Sequence, residues 1–247
     1  GGFHRYSTDE KWLVPHFEKM LYDNALLLLS YTEAYQISKN PEYKIIAERI
    51  IHYIERDLTA PKGGFYAAED ADSEKAEGKF YVWKYEELKN LLNPKELEEI
   101  KNYYGVSEKG NFDTTDFSEI EKDAGLEGVH EANILHLDPK MPLPYSANHK
   151  YLEPILNKLL KIRTKRVRPL LDHQIITGWN GLMIAALARA SQVFNNVTYK
   201  NLAIQATQFI LKNLYKKDRL HRSFANSTSK NYAYLEDYAF FIFALLE

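Results

Sequence analysis

The sequence predicts an all-α fold assembled from helical hairpins, and two observations carry that prediction. Segments that are apolar nearly all round, Ala25–Leu29, Leu182–Ala188 and Ala239–Leu246, alternate with amphipathic segments. The alternation repeats about every 55 to 60 residues, a spacing typical of helical-hairpin repeats. Hairpins of this kind stack into a solenoid or close into a toroid, and we expect them to form a single domain over residues 1–247.

The two kinds of segment differ in the surroundings that they require. A helix that is apolar on every side must be buried on most of them, whereas an amphipathic helix has one wet side. The apolar faces of the amphipathic segments are Ile46, Ile50, Tyr53, Ile54 and Leu58 in the first and Leu202, Ala206, Phe209, Ile210 and Leu214 in the second. We therefore expect an inner layer of buried helices and an outer layer of half-exposed helices.

Short turns close each pair of helices. Gly63–Tyr66 and Arg219–Arg222 occupy these positions, and Gly1–His4 has the form of a closing turn for an earlier unit. A glycine pair followed by an aromatic residue suits a tight helix exit into a short extended piece. We expect the chain to be part of a longer protein and to expose an apolar flank along Ala239–Leu246. Residues 104–150 lose the period and are expected to form an irregular insertion.

The composition restricts the classes of function. Of the 247 residues, 45% are apolar and 27% charged, and 32 basic residues nearly balance 34 acidic ones. This balance gives no electrostatic argument for a nucleic-acid or membrane partner, and the basic run Lys158–Arg168 is interpreted as the wet side of a helix and its exit. The chain has no cysteine and no segment resembling a secretory signal, which predicts a cytoplasmic protein. No nucleotide-binding or metal-ligand motif occurs, so neither a cofactor nor a metal ion is expected.

Polar residues cluster at the N-terminal ends of the predicted inner helices. Inner helices of a hairpin array run parallel, so these ends meet at one mouth, where the helix dipoles favour a polar or anionic ligand. The first helix is expected to begin near Pro15, which suits a first turn. The residues concerned are His16, Lys19 and Asp23 on the first helix, Trp179 and Asn180 on the second, and Glu236 and Asp237 on the third. They form either the floor of a binding pocket or, alternatively, a set of helix caps that satisfy one another.

A second candidate feature is the acidic segment Glu69–Ser73, which precedes the aromatic segment Phe80–Trp83. Phe80–Trp83 is predicted to form a strand of a hairpin near the mouth, with Gly64–Ala67 as its partner. Carboxylates beside aromatic rings are suited to sugars, whose hydroxyls and C–H faces they bind; the alternative is a solvated acidic loop. The candidate sugar-binding residues here are Asp70, Asp72 and Trp83.

Several motifs together resemble a known family. The motifs are Gly1–Ser7, Trp12–Asp23, Glu69–Ser73, Glu77–Trp83, Trp179–Ala186 and Leu235–Ala239. They resemble the thioredoxin-domain-containing family that includes the spermatogenesis-associated proteins, whose larger domain is similar to N-acylglucosamine and cellobiose 2-epimerases. The resemblance covers most of the chain outside residues 104–150. It implies an (α/α)6 toroid, like that of the six-hairpin glycosidases, of which this chain would supply roughly half, with short β-hairpins at the mouth.

Two features depart from the family pattern. The family's N-terminal thioredoxin-like domain, with its cysteine motif, has no counterpart in this sequence. That domain is therefore an expected partner, and redox activity is not carried over. The family segment Leu-Asp-Asp-Lys reads Leu171–Gln174 here, which removes the second acid and the lysine.

The resemblance to the epimerases implies a histidine acid/base pair that acts on a sugar. His16 and His4 are the histidines placed to enter the pocket, and His16 would move the proton. The remaining assignments are Asp23 or Glu236 as the group that orients His16, Arg5 and Lys19 as stabilisers of an enediolate, and Trp179 or Trp83 as the stacking platform.

Two other functions are left open by the sequence. Asp70 or Asp72 paired with Asp237 would indicate glycoside hydrolysis. A pocket filled by large side chains would indicate a non-catalytic helical scaffold, which binds a ligand or partner and serves the thioredoxin-like domain. In the two enzymatic cases, the expected small-molecule ligand is a sugar.

Overall fold

The computed structural model describes residues 1–111, 131–137, 151–226 and 228–247. Its secondary structure is mostly helical, as the sequence predicts, but several short sheets accompany the helices. The helices are α1 (Leu21–Ser38), α2 (Pro41–Tyr53), α3 (Tyr85–Leu91), α4 (Pro94–Tyr104), α5 (Leu152–Arg163), α6 (Thr177–Phe194), α7 (Val197–Asn213) and α8 (Leu235–Leu246), with a π-helical turn at Ile54–Leu58.

The strands are short and pair antiparallel in five small sheets among the described residues. They are β1 (Tyr6–Ser7), β2 (Pro15–His16), β3 (Lys19–Met20), β4 (Ala68–Glu69), β5 (Asp72–Ser73), β6 (Ala76–Glu77), β7 (Trp83–Lys84), β8 (Ala132–Asn133), β9 (Leu171–Asp172), β10 (Ile175–Ile176), β11 (Tyr215–Lys216), β12 (Arg219–Ala225) and β13 (Thr228–Tyr232). The pairings are β1–β2, β3–β4–β9, β5–β6, β7–β8 and β10–β12–β11 with β13 on β12.

The chain divides into two compact units. The first unit comprises Gly1–His4, Lys19–Glu69 and Leu171–Glu247. The second comprises Arg5–Glu18 and Asp70–Leu170. Most of the predicted insertion at 104–150 belongs to the second unit and lies outside the described residues.

Helix α6 is the centre of the first unit. It packs against α1, α7 and α8, and its residues from Leu182 to Leu187 are buried. The amphipathic helices α2 and α7 pack on α1 and α6 respectively, each with its apolar face inward. The alternation of inner and outer helices, predicted from the change between all-round and one-sided apolar patterns, is confirmed.

The two hairpins of the first unit turn by the same device. Lys39 and Asn195 end α1 and α6 in the left-handed conformation, with φ of 57° and 51°. The next residue in each case is an asparagine, Asn40 or Asn196, whose side chain accepts the backbone N–H two residues later and so caps the outer helix. Asparagine is among the best N-caps, and a left-handed residue ends a helix without leaving its last turn unsatisfied.

The second unit contains α3, α4 and α5, with two separate apolar clusters. One cluster is centred on Phe17 and Phe80, and the other on Trp83 and Leu88. Helix α4 begins with a capping box, in which Asn93 and Glu96 each accept the other's backbone N–H. This combination of Asn, Pro94 and Glu is a strong local signal for a helix start.

Two local predictions are wrong. The first inner helix does not begin near Pro15, because Pro15–His16 pairs with Tyr6–Ser7 and Lys19–Met20 pairs with Ala68–Glu69; α1 begins at Leu21. His16, Lys19 and Asp23 therefore do not share a helical face.

The predicted hairpin between Gly64–Ala67 and Phe80–Trp83 is also absent. Trp83–Lys84 pairs with Ala132–Asn133 instead. Ala68–Glu69, directly after Ala67, lies between Lys19–Met20 and Leu171–Asp172. The partner of each of these short strands is set by long-range contacts. The β-propensity of four residues does not specify which strand they pair with.

The outward side of α8 carries apolar residues in contact with solvent. They are Leu235, Ile242, Leu245 and Leu246. Ile242, Leu245 and Leu246 lie in the range Ala239–Leu246, where an apolar flank is expected.

Gly181 sets how closely α6 and α8 approach. A Cβ at this position would lie 2.6 Å from the carbonyl carbon and oxygen of Phe240 and 2.8 Å from the backbone nitrogen of Phe241. We expect Gly181→Ala to destabilise the protein by about 1–3 kcal/mol, the usual cost of overpacking. This cost must exceed a gain in helix propensity of at most ~1 kcal/mol.

Urea denaturation followed by circular dichroism measures the change. Gly105→Ala is the matched control, because a Cβ at Gly105 meets no atom within 4 Å and its cost is limited to the left-handed backbone (φ 61°). A Gly181→Ala protein as stable as the parent would show that the helices do not depend on this contact.

Candidate functional site

The candidate acid/base site lies on the hairpin β1–β2 in the second unit. Tyr6 pairs with His16 across the two strands, and their rings stack with centroids 5.0 Å apart. The connecting loop is fixed by the carboxylate of Asp9, which accepts the backbone N–H groups of Lys11, Leu13 and Val14. These hydrogen bonds and one from Ser7 outweigh burial and lower the pKa of Asp9. The hairpin thus holds His16 on a rigid support.

Glu77 fixes the orientation of the His16 ring. Its Oε1 lies 2.8 Å from Nδ1 of His16 and also accepts the backbone N–H of Phe17 at 3.1 Å. A carboxylate only accepts hydrogen bonds, so Nδ1 carries the proton and Nε2 is left with the lone pair of a base. Nε2 lies 3.6 Å from Glu18, which is also paired with Arg5 at 3.1 Å. A His16 ring that has taken up a second proton would therefore be stabilised by two carboxylates.

Asp72 is the carboxyl with a perturbed pKa in this cluster. It faces Glu77 across the hairpin β5–β6. Burial raises the pKa of Asp72, the nearby charges of Asp70 and Glu77 raise it further, and His16 acts in the opposite direction. The site thus combines a half-buried histidine with a carboxyl that holds its proton to a higher pH than usual.

Asn180 in the first unit is fully buried in α6 and serves the backbone. Its Oδ1 accepts the N–H of Phe65 at 2.7 Å, and its Nδ2 donates to the carbonyl oxygens of Phe65 and Ile176 at 3.0 Å each. These bonds fasten the turn at Gly63–Tyr66 to the start of α6. A role for Asn180 in binding substrate stays a prediction.

Asp237 is also fully buried and joins two helices. Its Oδ1 accepts the N–H of Gly178 in the first turn of α6, and its Oδ2 accepts the N–H of Tyr234 at the start of α8. Arg222 lies 3.1 Å from Asp237 and 2.7 Å from the half-exposed Glu236, and so compensates the buried charge. The catalytic roles predicted for Asp237 and Glu236 are not tested by these contacts.

Lys19 belongs to a buried polar cluster of the first unit. Its Nζ donates to the carbonyl oxygen of Gly1 at 3.1 Å and lies 4.7 Å from the centre of the Tyr53 ring. The Tyr53 hydroxyl donates to Glu69, the cross-strand neighbour of Lys19. Asp23 is half-buried in the first turn of α1, and His4 is half-buried near the start of the chain.

The tryptophans differ from each other in exposure. Trp179 is partly buried and meets Tyr22 edge to face, with ring centroids 4.8 Å apart. Trp83 is 1% exposed, and the guanidinium of Arg166 lies 4.1 Å from its ring centre. The prediction that Trp83 stacks on a sugar is wrong in this structure, because its ring is enclosed in the core.

Sequence reasoning did not identify the contact between Glu77 and His16. The residue stands in a motif that was noted for its aromatic residues, and 61 positions separate it from His16. A histidine and a glutamate at that separation give no local signal. The stacking partner Tyr6, which meets His16 through strand pairing, and the counter-charge Arg222, which contacts Asp237 in a helix, were also missed.

Comparison with known proteins supports the resemblance read from the motifs. No model of a protein family matches the chain. The chain is 33% identical over 275 aligned positions to spermatogenesis-associated protein 20 of Homo sapiens, and 33% identical over 279 to that of Rattus norvegicus. Both alignments cover 100% of this chain. The chain is thus similar over its whole length to spermatogenesis-associated protein 20.

This chain spans about a third of the length of these spermatogenesis-associated relatives, with 34% of each covered. Solved structures similar to it include a D-mannose isomerase, with a TM-score of 0.30, 14% identity, and 94% of this chain and 51% of that one covered. Another is the cellobiose 2-epimerase of Spirochaeta thermophila, with a TM-score of 0.26, 13% identity, and 95% and 73% covered. At these identities and TM-scores, the two structures assign no function to this chain.

Two further findings concern metals and membranes. Within the described ranges, no group of three histidine or acidic side chains is arranged to hold a metal ion. Across those same ranges, every helix is too short or too polar to cross a bilayer.

Asn180→Ala tests whether the bonds to Phe65 hold the turn in place. The substitution leaves a buried N–H and a buried carbonyl without partners, at about 1–3 kcal/mol each. We expect a loss of about 2–5 kcal/mol in the free energy of unfolding, measured by urea denaturation. Asn213→Ala is the control, because the Asn213 side chain donates only to Phe209 in its own helix; equal losses for both variants would contradict the assignment.

Asp72→Asn tests the raised pKa of Asp72. A raised pKa means that ionised Asp72 destabilises the fold at pH 7, and that the penalty disappears once the carboxyl is protonated in folded and unfolded chains alike. We expect the variant to be more stable at pH 7, by less than about 1 kcal/mol for such an exposed site. The difference should vanish well below pH 4, the ordinary carboxyl range. Thermal unfolding at pH 7 and pH 3 measures it, and a variant that is less stable at pH 7 would refute the interpretation.

Proposed function

We propose that this protein is a sugar isomerase or epimerase in which His16 moves a proton at the carbon beside the carbonyl group. The contact that carries the proposal is the 2.8 Å pair between His16 Nδ1 and Glu77. It leaves Nε2 as a base of fixed direction in a half-exposed position, which is the arrangement that general base catalysis requires.

In the proposed step, Nε2 of His16 removes the proton from C2 of an open-chain sugar. The electrons of the C–H bond form a C1=C2 double bond, and the carbonyl electrons move to O1. Asp72 donates a proton to O1 in the fraction of molecules whose Asp72 carboxyl is protonated, which the raised pKa increases, and an enediol results. Return of a proton to C2 from the opposite side gives the epimer, whereas a proton delivered to C1 gives the isomer.

The surrounding residues support this chemistry through charge and position. Glu77 and Glu18 stabilise His16 in its protonated state, and Tyr6 holds the ring flat between them. Asp72 keeps its proton to a higher pH because burial and the charges of Asp70 and Glu77 raise its pKa. Asp70, two residues before Asp72, supplies side-chain oxygens suited to hydrogen bonds from sugar hydroxyls.

The full protein is proposed to complete a toroid. Helices α1 and α8 flank α6 as inner helices, and α8 exposes an apolar side. A further hairpin on that side would continue the alternation of inner and outer helices, as an (α/α)6 toroid requires. A thioredoxin-like domain belongs to the same proposal and rests on the family resemblance alone.

A non-catalytic scaffold is the second candidate, and one observation favours it. Asn180 and Asp237, at the N-terminal ends of α6 and α8, are fully buried and use their polar atoms on backbone and Arg222. Those helix ends are therefore stabilised without a ligand. This observation concerns the first unit and leaves the His16 site in the second unit intact as a chemical site.

Deuterium exchange distinguishes the two candidates. The purified protein is incubated in heavy water with aldoses, ketoses and N-acyl sugars, and deuterium at C2 is measured by mass spectrometry and NMR. Removal of the C2 proton by His16 is expected to introduce deuterium at that carbon. Absence of exchange and of isomerisation throughout the panel would favour the scaffold.

Variants of His16 and Glu77 then test the roles assigned to these two residues. His16→Asn is expected to lower the rate about 10²- to 10⁴-fold. Glu77→Gln should lower it at least tenfold, because an amide no longer fixes the proton on Nδ1. His52→Asn, at an exposed position of α2, is the control and should retain the parent rate. An active His16→Asn protein would contradict the mechanism even if the sugar reaction is real.

A further inference from the structure

A cavity in the second unit is separate in its residues from the His16 site. Its volume is about 300 Å³, and its walls include Phe80, Val82, Val167, Lys84 and Arg166. This volume lies at the lower end of the range for small-molecule sites, about 300–1,000 Å³. Arg166 and Val167, near the end of the basic run Lys158–Arg168, line the cavity. The proposed function gives this run no role.

Arg166 makes one wall of this cavity rigid. Its Nη1 donates to the carbonyl oxygens of Phe80 and Val82 at 2.9 and 2.7 Å, and its Nη2 donates to both carboxylate oxygens of Glu87 at 2.8 and 2.9 Å. Its guanidinium also covers the Trp83 ring at 4.1 Å. A bidentate arginine pair held in this way is geometrically specific, so the wall is formed before any ligand arrives.

The opposite wall is fixed in a similar manner. The Ser73 hydroxyl donates to the carbonyl oxygen of Val167 at 2.6 Å. Lys79 pairs with Glu74 at 3.2 Å on the same side. The polar groups of Arg166, Ser73 and Lys79 thus already have partners in the protein.

Among the residues that line the cavity, the basic side chains outnumber the acidic ones by one. Arg166 is neutralised by Glu87 and Lys79 by Glu74, whereas Lys84 has no ion-pair partner among the described residues. The apolar wall residues Phe80, Val82 and Val167 offer contact surface but no hydrogen bonds from their side chains. A ligand that complements this arrangement has a small apolar body and a single anionic group.

We propose that this cavity binds a small organic monoanion, whose carboxylate lies against Lys84 and whose apolar body lies between Val82 and Val167. The apolar part is removed from water by the walls, which supplies most of the affinity. The ammonium group of Lys84 supplies the preference for an anion over a neutral molecule of the same shape. The site is independent of sugar chemistry at His16.

The probe for this site is 3-phenylpropionate, with 3-phenylpropan-1-ol as its neutral counterpart. Both are titrated into the ¹⁵N-labelled 247-residue chain, and amide shifts are followed by NMR. The acid is expected to shift the amides of Val82, Ala132 and Val167, all at the cavity wall. The alcohol should bind more weakly by about two- to fivefold, the effect of one partly exposed charge pair. Absence of shifts at the cavity wall, or equal affinity for both probes, would overturn the proposal.

Two variants and a control test the assigned contacts. Lys84→Ala should weaken binding of the acid about two- to fivefold and leave binding of the alcohol unchanged. Lys89→Ala removes a lysine of α3 that pairs with Glu86 and should change neither affinity. Val167→Trp places a large ring at an exposed wall position and should abolish binding of both probes. Equal losses for Lys84→Ala and Lys89→Ala would show a general charge effect and refute the site, as would unchanged binding to Val167→Trp.

Discussion

The first unit depends on how the N-terminal end of α6 is satisfied inside the protein. A helix end carries backbone N–H groups that find no partner within the helix, and burial without partners is costly. Asp237 accepts the N–H of Gly178 from the facing helix, and Asn180 links the same end to the backbone of Phe65. Gly181 allows the backbone of α8 to approach α6 directly. Polar capping and close packing together fix which elements can surround α6.

Polar side chains have two different roles in this protein: some stabilise buried helix ends, and others form a partly exposed cluster around His16. Asp237 and Asn180 are buried with their polar atoms engaged, whereas His16, Glu77 and Asp72 lie in a cluster with part of each group open to solvent. Catalysis needs a group that can exchange a proton with substrate, and a group enclosed by backbone partners does not meet that need. The proposed chemistry therefore uses the β-hairpins of the second unit, whereas Asp237 and Asn180 stabilise helix ends in the first unit.

Arg166 is a residue of the basic run that stabilises the fold through contacts inside the second unit. The run Lys158–Arg168 continues the exposed side of α5 for most of its length, as its pattern predicts. At its end, Arg166 turns inward to two carbonyl groups, to Glu87 and to the face of Trp83. One side chain thus joins the loop at Phe80–Val82 to α3 and covers the face of Trp83.

The sequence by itself determined the helical class, the alternation of inner and outer helices and the similarity to spermatogenesis-associated proteins, because apolar periodicity and dense motifs are local properties. It also singled out His16, Asp72, Asn180 and Asp237 as polar residues that needed an explanation. Only the tertiary structure decided which of them are enclosed by backbone and which form an acid/base cluster, because Glu77 reaches His16 through pairing of distant strands. The start of α1 and the partner of each short strand were decided in the same way, since two-residue strands take their pairing from the surrounding fold and not from their own residues.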